Sequence, residues 1–175
     1  DPDNAEAHNG LGRVALAKHD YVTAEKHFRD ACKASVDRPV YHVNRSVALQ
    51  RMGNLDEALM AAAGATHMKD CLPAAYVQMV SIEEELGHID AALEIAEKGI
   101  ERCPDCFELL FCRGVEFATL GRWAEAWRDM EYRPTVAQVS EGMDEFPEWK
   151  GEDVAGKRVL VIREQGKGDE IMFVR

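Results

Sequence analysis

One stretch decides the fold of this chain: Leu86-Gly87-His88-Ile89-Asp90-Ala91-Ala92. The same pattern of a turn followed by a small residue recurs along the sequence, so that the last alanine lies 34 residues after Ala58 and 34 residues before Ala126. A further step back by 34 residues reaches Ala24, after a turn in which His19 takes the place of the glycine. A constant period of this length predicts units that stack side by side instead of closing around one core.

Each unit is predicted to be a pair of short amphipathic helices joined at the recurring turn. In the first unit, Ala7, Leu11 and Val14 have the spacing of one helical face, and Ala24 and Phe28 continue the pattern on a second helix. A glycine at the turn can adopt the left-handed conformation that ends a helix. The helix pairs are expected at residues 5–18 with 21–34, 39–52 with 55–68, 73–86 with 89–102, and 107–120 with 123–132.

Small residues mark the place where the two helices of each unit cross. The second helices carry Ala24, Ala58, Ala92 and Ala126, and the facing positions on the first helices are Gly12, Ser46, Val80 and Gly114. Mostly small side chains at a crossing let two backbones approach closely. Larger residues, Leu11 and Trp123 among them, are expected to fill the space around this contact. Trp127 is expected to join Trp123 in the core, because four-residue spacing places both on one helical face.

A set of residues repeats in type as well as in spacing from one unit to the next. Its members are Leu11, Gly12, Tyr21, Ala24, Phe28 and Ala31, then Gly53, Leu55 and Ala58, then Gly87, Ile89 and Ala92, then Gly121, Trp123 and Ala126. This set resembles the tetratricopeptide repeat of bacterial proteins, over about residues 1–132. The resemblance implies an all-α, right-handed α-solenoid of four helix-turn-helix units, at about residues 5–38, 39–72, 73–106 and 107–132. It departs at His8 and His42, which replace a frequent aromatic residue, and at Arg45, which replaces a frequent leucine.

Charge and cysteine usage exclude several classes of function. A net charge of −11 argues against binding to nucleic acid or to an anionic membrane, since both need a basic surface. Five cysteines do not indicate a disulfide scaffold at this length, and reduced thiols are expected in a cytoplasmic protein. Cys103 and Cys106 have the spacing of half a zinc site, but no second ligand pair accompanies them and the histidines lack ligand spacing. We therefore expect no metal.

Tetratricopeptide arrays bind extended peptides on a concave face lined by first helices, and the resemblance implies the same here. The lining positions are Asn9, Arg13, Val43, Asn44, Val47, Arg51, Val77, Gln78, Ser81, Glu84, Phe111 and Val115. Asn44 and Gln78 lie one period apart and are either hydrogen-bond partners for a ligand backbone or solvated surface amides. As ligand contacts they would resemble a short piece of the amide ladder of repeat-containing sugar transferases. The basic residues that clamp a chaperone carboxyl terminus in related arrays are absent from the sequence.

The repeat pattern ends near Arg133, and residues 133–157 are expected to form a linker. An apolar run, Val159-Leu160-Val161-Ile162, then predicts a buried strand, so that residues 158–175 form one βα unit, an α/β addition to the solenoid. Between strand and helix lies the loop Glu164-Gln165-Gly166-Lys167-Gly168-Asp169-Glu170. Backbone N–H groups at Gly166 and Gly168 are placed to face an anion at the start of a helix.

A second resemblance covers about residues 145–175. Trp149, Gly151-Glu152, the run from Gly156 to Val161 and the loop containing Asp169 are similar to the junction between repeats and a heptosyltransferase-like glycosyltransferase domain of the GT-B type. In that family the aspartate after the second glycine lies near the acceptor, which implies that Asp169 is a general base. Its alternative role is to cap the helix that follows. The resemblance implies a nucleotide sugar as a substrate of the parent enzyme, whereas this chain itself is expected to need no cofactor.

Two functions remain for the chain as a whole. The first is a non-catalytic scaffold module that binds a protein or an extended peptide segment. The alternative is the N-terminal, acceptor-selecting part of a bacterial glycosyltransferase that contains tetratricopeptide repeats. Both readings expect the chain to be part of a longer protein, because it opens on the turn-like Asp1-Pro2-Asp3-Asn4.

Overall fold

The computed structural model of the chain describes residues 4–68 and 72–130, and in these ranges it contains eight α-helices and no β-strand. The helices are α1 (Ala5–Ala17), α2 (Tyr21–Ala34), α3 (Pro39–Arg51), α4 (Leu55–Thr66), α5 (Pro73–Leu86), α6 (Ile89–Arg102), α7 (Phe107–Thr119) and α8 (Trp123–Met130). Each helix begins where the sequence predicts, and α1 to α7 end within two residues of their predicted ends. The predicted linker at 133–157 and the predicted βα unit at 158–175, with Gly166, Gly168 and Asp169, lie outside the described residues.

Local signals in the sequence fix the ends of the helices. The Asn4 and Asp20 side chains accept hydrogen bonds from the first turns of α1 and α2, at 3.0 and 3.1 Å. Pro39 and Pro73 occupy the first positions of α3 and α5, where a helix does not need the missing N–H. The first unit thus begins with a side-chain cap, whereas the second and third units begin with a proline.

The recurring turn has a left-handed backbone in every unit. Gly53, Gly87 and Gly121 have φ angles of 79°, 78° and 74°, and His19 takes the same region in the first unit with a φ of 61°. A left-handed residue ends one helix and reverses the chain into the next. The prediction that His19 stands in for the glycine is confirmed.

The helices of each unit cross at the predicted small residues. Ala24, Ala58, Ala92 and Ala126 have no exposed surface. In the second unit the Ser46 hydroxyl donates a hydrogen bond of 2.7 Å to the Ala58 carbonyl, which shows how closely the two backbones approach. A Cβ atom added at Gly12 would lie 2.6 Å from the Phe28 ring, so the first crossing has no room for a larger residue.

Successive units stack through their first helices. Each helix packs on the next one along the chain, and α1 with α3, α3 with α5, and α5 with α7 are also in contact. The first helices therefore form one continuous surface, which we call the inner face. Arg45, the departure from the repeat pattern, bridges two units, because its guanidinium donates to the buried Glu25 carboxylate of α2 at 2.9 Å.

Two predictions about the core are wrong. Trp123 and Trp127 are 58% and 56% exposed, and Leu11 is 52% exposed. The tryptophans share a face of α8, as their spacing predicts, but no other described helix covers that face. At the equivalent place in the first unit, Glu25 is buried because α3 packs over it. Leu11 belongs to α1, which has no earlier unit packed on it among the described residues.

Candidate binding groove

The inner face contains a cavity of about 930 Å³ between the second, third and fourth units, which we call the apolar cavity. Its walls come from α3, from the start of α5 and from the turn between α6 and α7. They are formed by Val43, Val47, Leu72, Pro73, Ala74, Val77, Gln78, Arg102, Cys103, Pro104, Asp105, Cys106 and Glu108. Four of the twelve predicted contact residues are among them, namely Val43, Val47, Val77 and Gln78.

Local structure explains why these side chains converge. Val43 and Val47 lie one turn apart on α3, and Val77 lies in the second turn of α5. The opposite wall is the turn that follows α6, in which the Cys106 N–H donates to the Cys103 carbonyl at 3.1 Å. Burial raises the pKa of the Cys106 thiol, so this wall is lined by an uncharged sulfhydryl.

A second, smaller cavity of about 570 Å³ lies further along α3 and α5, and we call it the polar cavity. Its lining residues are Gln50, Arg51, Ser81, Glu84 and Glu85. Three of them, Arg51, Ser81 and Glu84, are predicted contact residues. The other two were not predicted, although Gln50 lies one period before Glu84 and the same spacing could have identified it.

Side-chain amides form hydrogen bonds between units instead of facing a ligand. The Gln78 amide donates to the Gln50 Oε1 at 2.7 Å, and Gln50 donates in turn to the Ser81 hydroxyl at 3.2 Å and to the Glu85 carboxylate at 3.0 Å. Asn44 donates to the Oδ1 of Asn9 at 2.8 Å. Asn44 and Gln78 are predicted to be either ligand contacts or solvated amides. The geometry instead uses their N–H groups in hydrogen bonds between units.

The remaining predicted contact residues line neither cavity. They are Asn9, Arg13, Asn44, Phe111 and Val115. Asn9 is buried, whereas Arg13 is exposed on the first unit. Phe111 and Val115 are half-buried on α7, the first helix of the fourth unit. The two cavities are therefore lined mainly by residues at or near α3 and α5 and by the turn after α6.

A buried carboxyl group lies beside the polar cavity. Glu116 on α7 is 1% exposed, and neither of its carboxyl oxygens has a hydrogen-bond partner among the described residues. Burial, and then the nearby Glu84 carboxylate, raise the pKa of Glu116 to about 8. Burial and the same two carboxyl groups raise the pKa of the Cys112 thiol to about 12. This end of the inner face is therefore short of positive charge.

We also searched the described residues for clusters of metal ligands and for membrane-spanning helices. No group of three or more His, Cys, Asp or Glu side chains in residues 4–68 and 72–130 could hold a metal ion. Within the same ranges, no helix is long and apolar enough to cross a membrane. His8 and His27 do approach each other, with 3.3 Å between their Nδ1 atoms, which the sequence did not predict. What the inner face provides is a concave surface with an apolar part and an acidic part.

Comparison with known proteins identifies the tetratricopeptide repeat in two segments of the chain. Residues 1–39 and residues 73–116 each match a family model described as tetratricopeptide repeat. FlbA of Caulobacter vibrioides is 27% identical over 178 residues, which cover 98% of this chain but only 30% of FlbA. The chain therefore spans less than a third of the length of that relative.

Solved structures share the fold. MamA superposes with a TM-score of 0.66 and 18% identity, over 83% of this chain and 84% of MamA. YrrB, described as a tetratricopeptide repeat protein with an unusual peptide-binding site, superposes with a TM-score of 0.58 and 21% identity, over 75% of this chain and 68% of YrrB. Residues 1–39 and 73–116 thus match the tetratricopeptide repeat, and the described helices share the fold of these solved structures.

Proposed function

We propose that the chain is a scaffold module that binds a protein through an extended peptide segment laid across the inner face. The observation that carries this proposal is the apolar cavity, which is open to solvent between Val43, Val47 and Val77. A concave apolar surface with a few polar groups is the usual form of a binding site. The polar cavity is smaller, and its walls carry polar and charged side chains.

The cavity has room for a large apolar side chain of the bound segment. Burying a leucine-sized group contributes about 1.5–3 kcal/mol, which corresponds to roughly a ten- to hundredfold change in affinity. The Arg102 guanidinium is held at the edge by the Thr66 carbonyl at 3.0 Å and by the Tyr76 hydroxyl at 3.4 Å. The wall is thus pre-organised, which lowers the cost of binding. The peptide-binding site named for YrrB gives further support, since the two proteins share a fold.

Selection from a library of random linear peptides tests this proposal. We expect the chain to enrich peptides with a leucine, isoleucine, phenylalanine or methionine at one position. Val47→Asp should weaken binding of these peptides at least tenfold, because it places a charge in the apolar wall. The matched control is Val22→Asp, at an exposed position of α2. Equal binding by the two variants, with both folded by circular dichroism, would contradict the assignment of the cavity.

The net charge of −11 also favours a protein partner over nucleic acid. We propose that the module is cytoplasmic, because its five cysteines do not indicate a disulfide scaffold and are expected to be reduced there. Burial raises the pKa values of the Cys32 and Cys112 thiols, which makes them less reactive. A thiol titration without denaturant should find these two sulfhydryls unreactive, and a titration in denaturant should find them free.

A second candidate concerns the parent protein. We propose that the chain is the acceptor-selecting part of a GT-B glycosyltransferase that uses a nucleotide sugar, because the loop from Glu164 to Glu170 follows an apolar run. Gly166 and Gly168 would approach the acceptor or a phosphate, and Asp169 would act as the base. In the parent enzyme, Asp169→Asn should abolish sugar transfer, whereas Asp153→Asn, in the same segment, should not. Sugar transfer that survives Asp169→Asn would exclude the base role.

A further inference from the structure

The two ends of the described array expose helix faces that are covered in the other units. One is the α1 face, formed by Leu11 and Val14, which are 52% and 54% exposed. The residues at the position of Val14 in the three later units are at most 1% exposed, namely Ala48, Ile82 and Glu116. The other is the Trp face, formed by the exposed Trp123 and Trp127 of α8. In the three earlier units the same two positions are buried or half-buried, at Tyr21 and Glu25, Leu55 and Leu59, and Ile89 and Leu93.

The contacts between inner units show how two such faces pair. Ile82 on α5 packs in one hydrophobic cluster with Leu55 and Leu59 of α4. Ile82 has the position of Val14 in its unit, and the two leucines have the positions of the Trp face. If α1 of one copy packed on α8 of another as α5 packs on α4, Val14 would enter the Trp face in the same way. The α1 face and the Trp face are thus the two halves of an interface that the chain already forms between its units.

The residue pair at the centre of this interface is charged inside the array and apolar at its ends. Between the first two units, the Arg45 guanidinium donates to the Glu25 carboxylate. The same two positions are occupied by Leu11 on the α1 face and by Trp127 on the Trp face. A terminal unit that stays in water usually carries a polar outer face, which keeps a solenoid soluble. Both end faces carry an apolar side chain instead, as protein interaction surfaces do.

We propose that two copies of the chain associate head to tail, with the α1 face of one copy on the Trp face of the other. The register of the inner units brings Leu11 onto Trp127 and Val14 between the two tryptophans. Because the two faces differ, the contact is heterologous, and further copies add at both ends. The cavities of the inner face lie on α3 and α5 and stay open, so this inference does not depend on the proposed function.

Sedimentation velocity of the full chain measures this association. The weight-average sedimentation coefficient should rise with protein concentration over about a hundredfold range, because assembly follows mass action. Trp127→Glu places a charge on the Trp face and should need at least tenfold more protein for the same rise. The matched control is Met60→Glu on α4, at a position that is 74% exposed and belongs to neither face, and it should associate like the wild-type protein. A wild-type coefficient that does not depend on concentration would overturn the head-to-tail contact.

Mixing two variants distinguishes this contact from a symmetric dimer. Leu11→Glu keeps an intact Trp face, and Trp127→Glu keeps an intact α1 face. Each variant alone should remain monomeric where the wild-type protein associates, because every contact would then contain one charged face. An equal mixture should form a complex with one copy of each variant and grow no further, since only one intact pair of faces is present. Association of Leu11→Glu alone, or a mixture that stays monomeric, would overturn the pairing of the α1 face with the Trp face.

Discussion

The Asn44 amide donates a hydrogen bond of 2.8 Å to the Oδ1 of Asn9 and so ties the second unit to the first. The Tyr41 hydroxyl makes a parallel bond of 2.9 Å to the Glu6 carboxylate. Each pair is 35 residues apart, one more than the repeat period, and both bonds run between neighbouring first helices. Polar side chains thus hold α1 against α3 on the face where a ligand is expected.

The first prediction concerns this pair. Asn44→Ala leaves the buried Asn9 amide without its donor and should lower the free energy of unfolding by about 1–3 kcal/mol. Urea denaturation measures the loss. The double variant Asn9→Ala/Asn44→Ala provides the control, because it removes both partners. It should be less destabilised than the sum of the single variants, by about 0.5–1.5 kcal/mol. Strict additivity would show that the bond contributes nothing to stability.

A second prediction isolates the backbone of the recurring turn. Gly87 has a φ of 78°, and a Cβ atom added there would meet no other atom within 4 Å. Gly87→Ala should therefore cost about 1–2 kcal/mol through backbone strain alone. Gly10 in the middle of α1 also has open space around it but no left-handed φ. Gly10→Ala should stabilise the protein by about 0.5–1 kcal/mol. Thermal unfolding that moves in the same direction for both variants would contradict this explanation of the turn.

The helices and turns could be predicted because their determinants lie close together in the sequence. The left-handed turn at Gly87 and the helix crossing at Ala92 depend on residues that are close together in the sequence. The repeat period then gives the positions of the equivalent turns and crossings in the other units. The paired amides of Asn44 and Gln78 were not foreseen, since each finds its partner on the preceding first helix only after the units stack.

Burial depends on neighbours that periodicity does not specify. Trp123 has the residue type and position of a core residue, yet it is exposed because no described helix covers α8. Glu116 is the opposite case, because it is an ionisable residue at a position that becomes fully buried when the units pack. The wall of the apolar cavity at Cys103 and Cys106 was missed for a related reason. The spacing of those cysteines predicts thiols in a turn without a metal, and a cavity wall arises only when that turn approaches another unit.

A third prediction addresses the ion pair between units. Glu25 is buried, accepts a hydrogen bond from Arg45 at 2.9 Å and forms an ion pair with Arg29 at 3.3 Å. Arg45→Leu introduces the residue that is frequent in this repeat, but it removes the nearer partner of a buried carboxylate. We expect a loss of about 1–3 kcal/mol in the free energy of unfolding.

The double variant Glu25→Leu/Arg45→Leu should recover most of that loss, because an apolar pair often replaces a buried ion pair at little cost. Lys98→Leu, which removes the cation of an exposed pair with Glu94, serves as the control and should change stability by less than about 0.5 kcal/mol. A single variant Arg45→Leu as stable as the wild-type protein would show that Arg29 alone satisfies Glu25.

The last prediction concerns the pH dependence of stability. The pKa of Glu116 rises from 4.5, its ordinary value, to about 8 in the folded chain, because the carboxyl group is buried and Glu84 lies nearby. Between these two pH values the folded state binds more protons than the unfolded state. Stability should therefore be highest below about pH 4.5 as far as this group is concerned, and should fall as the pH rises to 8.

Glu116→Gln cannot ionise and should remove that fall, with a gain of about 1 kcal/mol or more at pH 8. Glu101→Gln, at an exposed position of α6, should keep the wild-type slope in urea denaturation at pH 5, 6.5 and 8. If Glu116→Gln and the wild-type protein show the same slope, the carboxyl group is hydrated and ionised in the folded chain, and the penalty assigned to its burial does not exist.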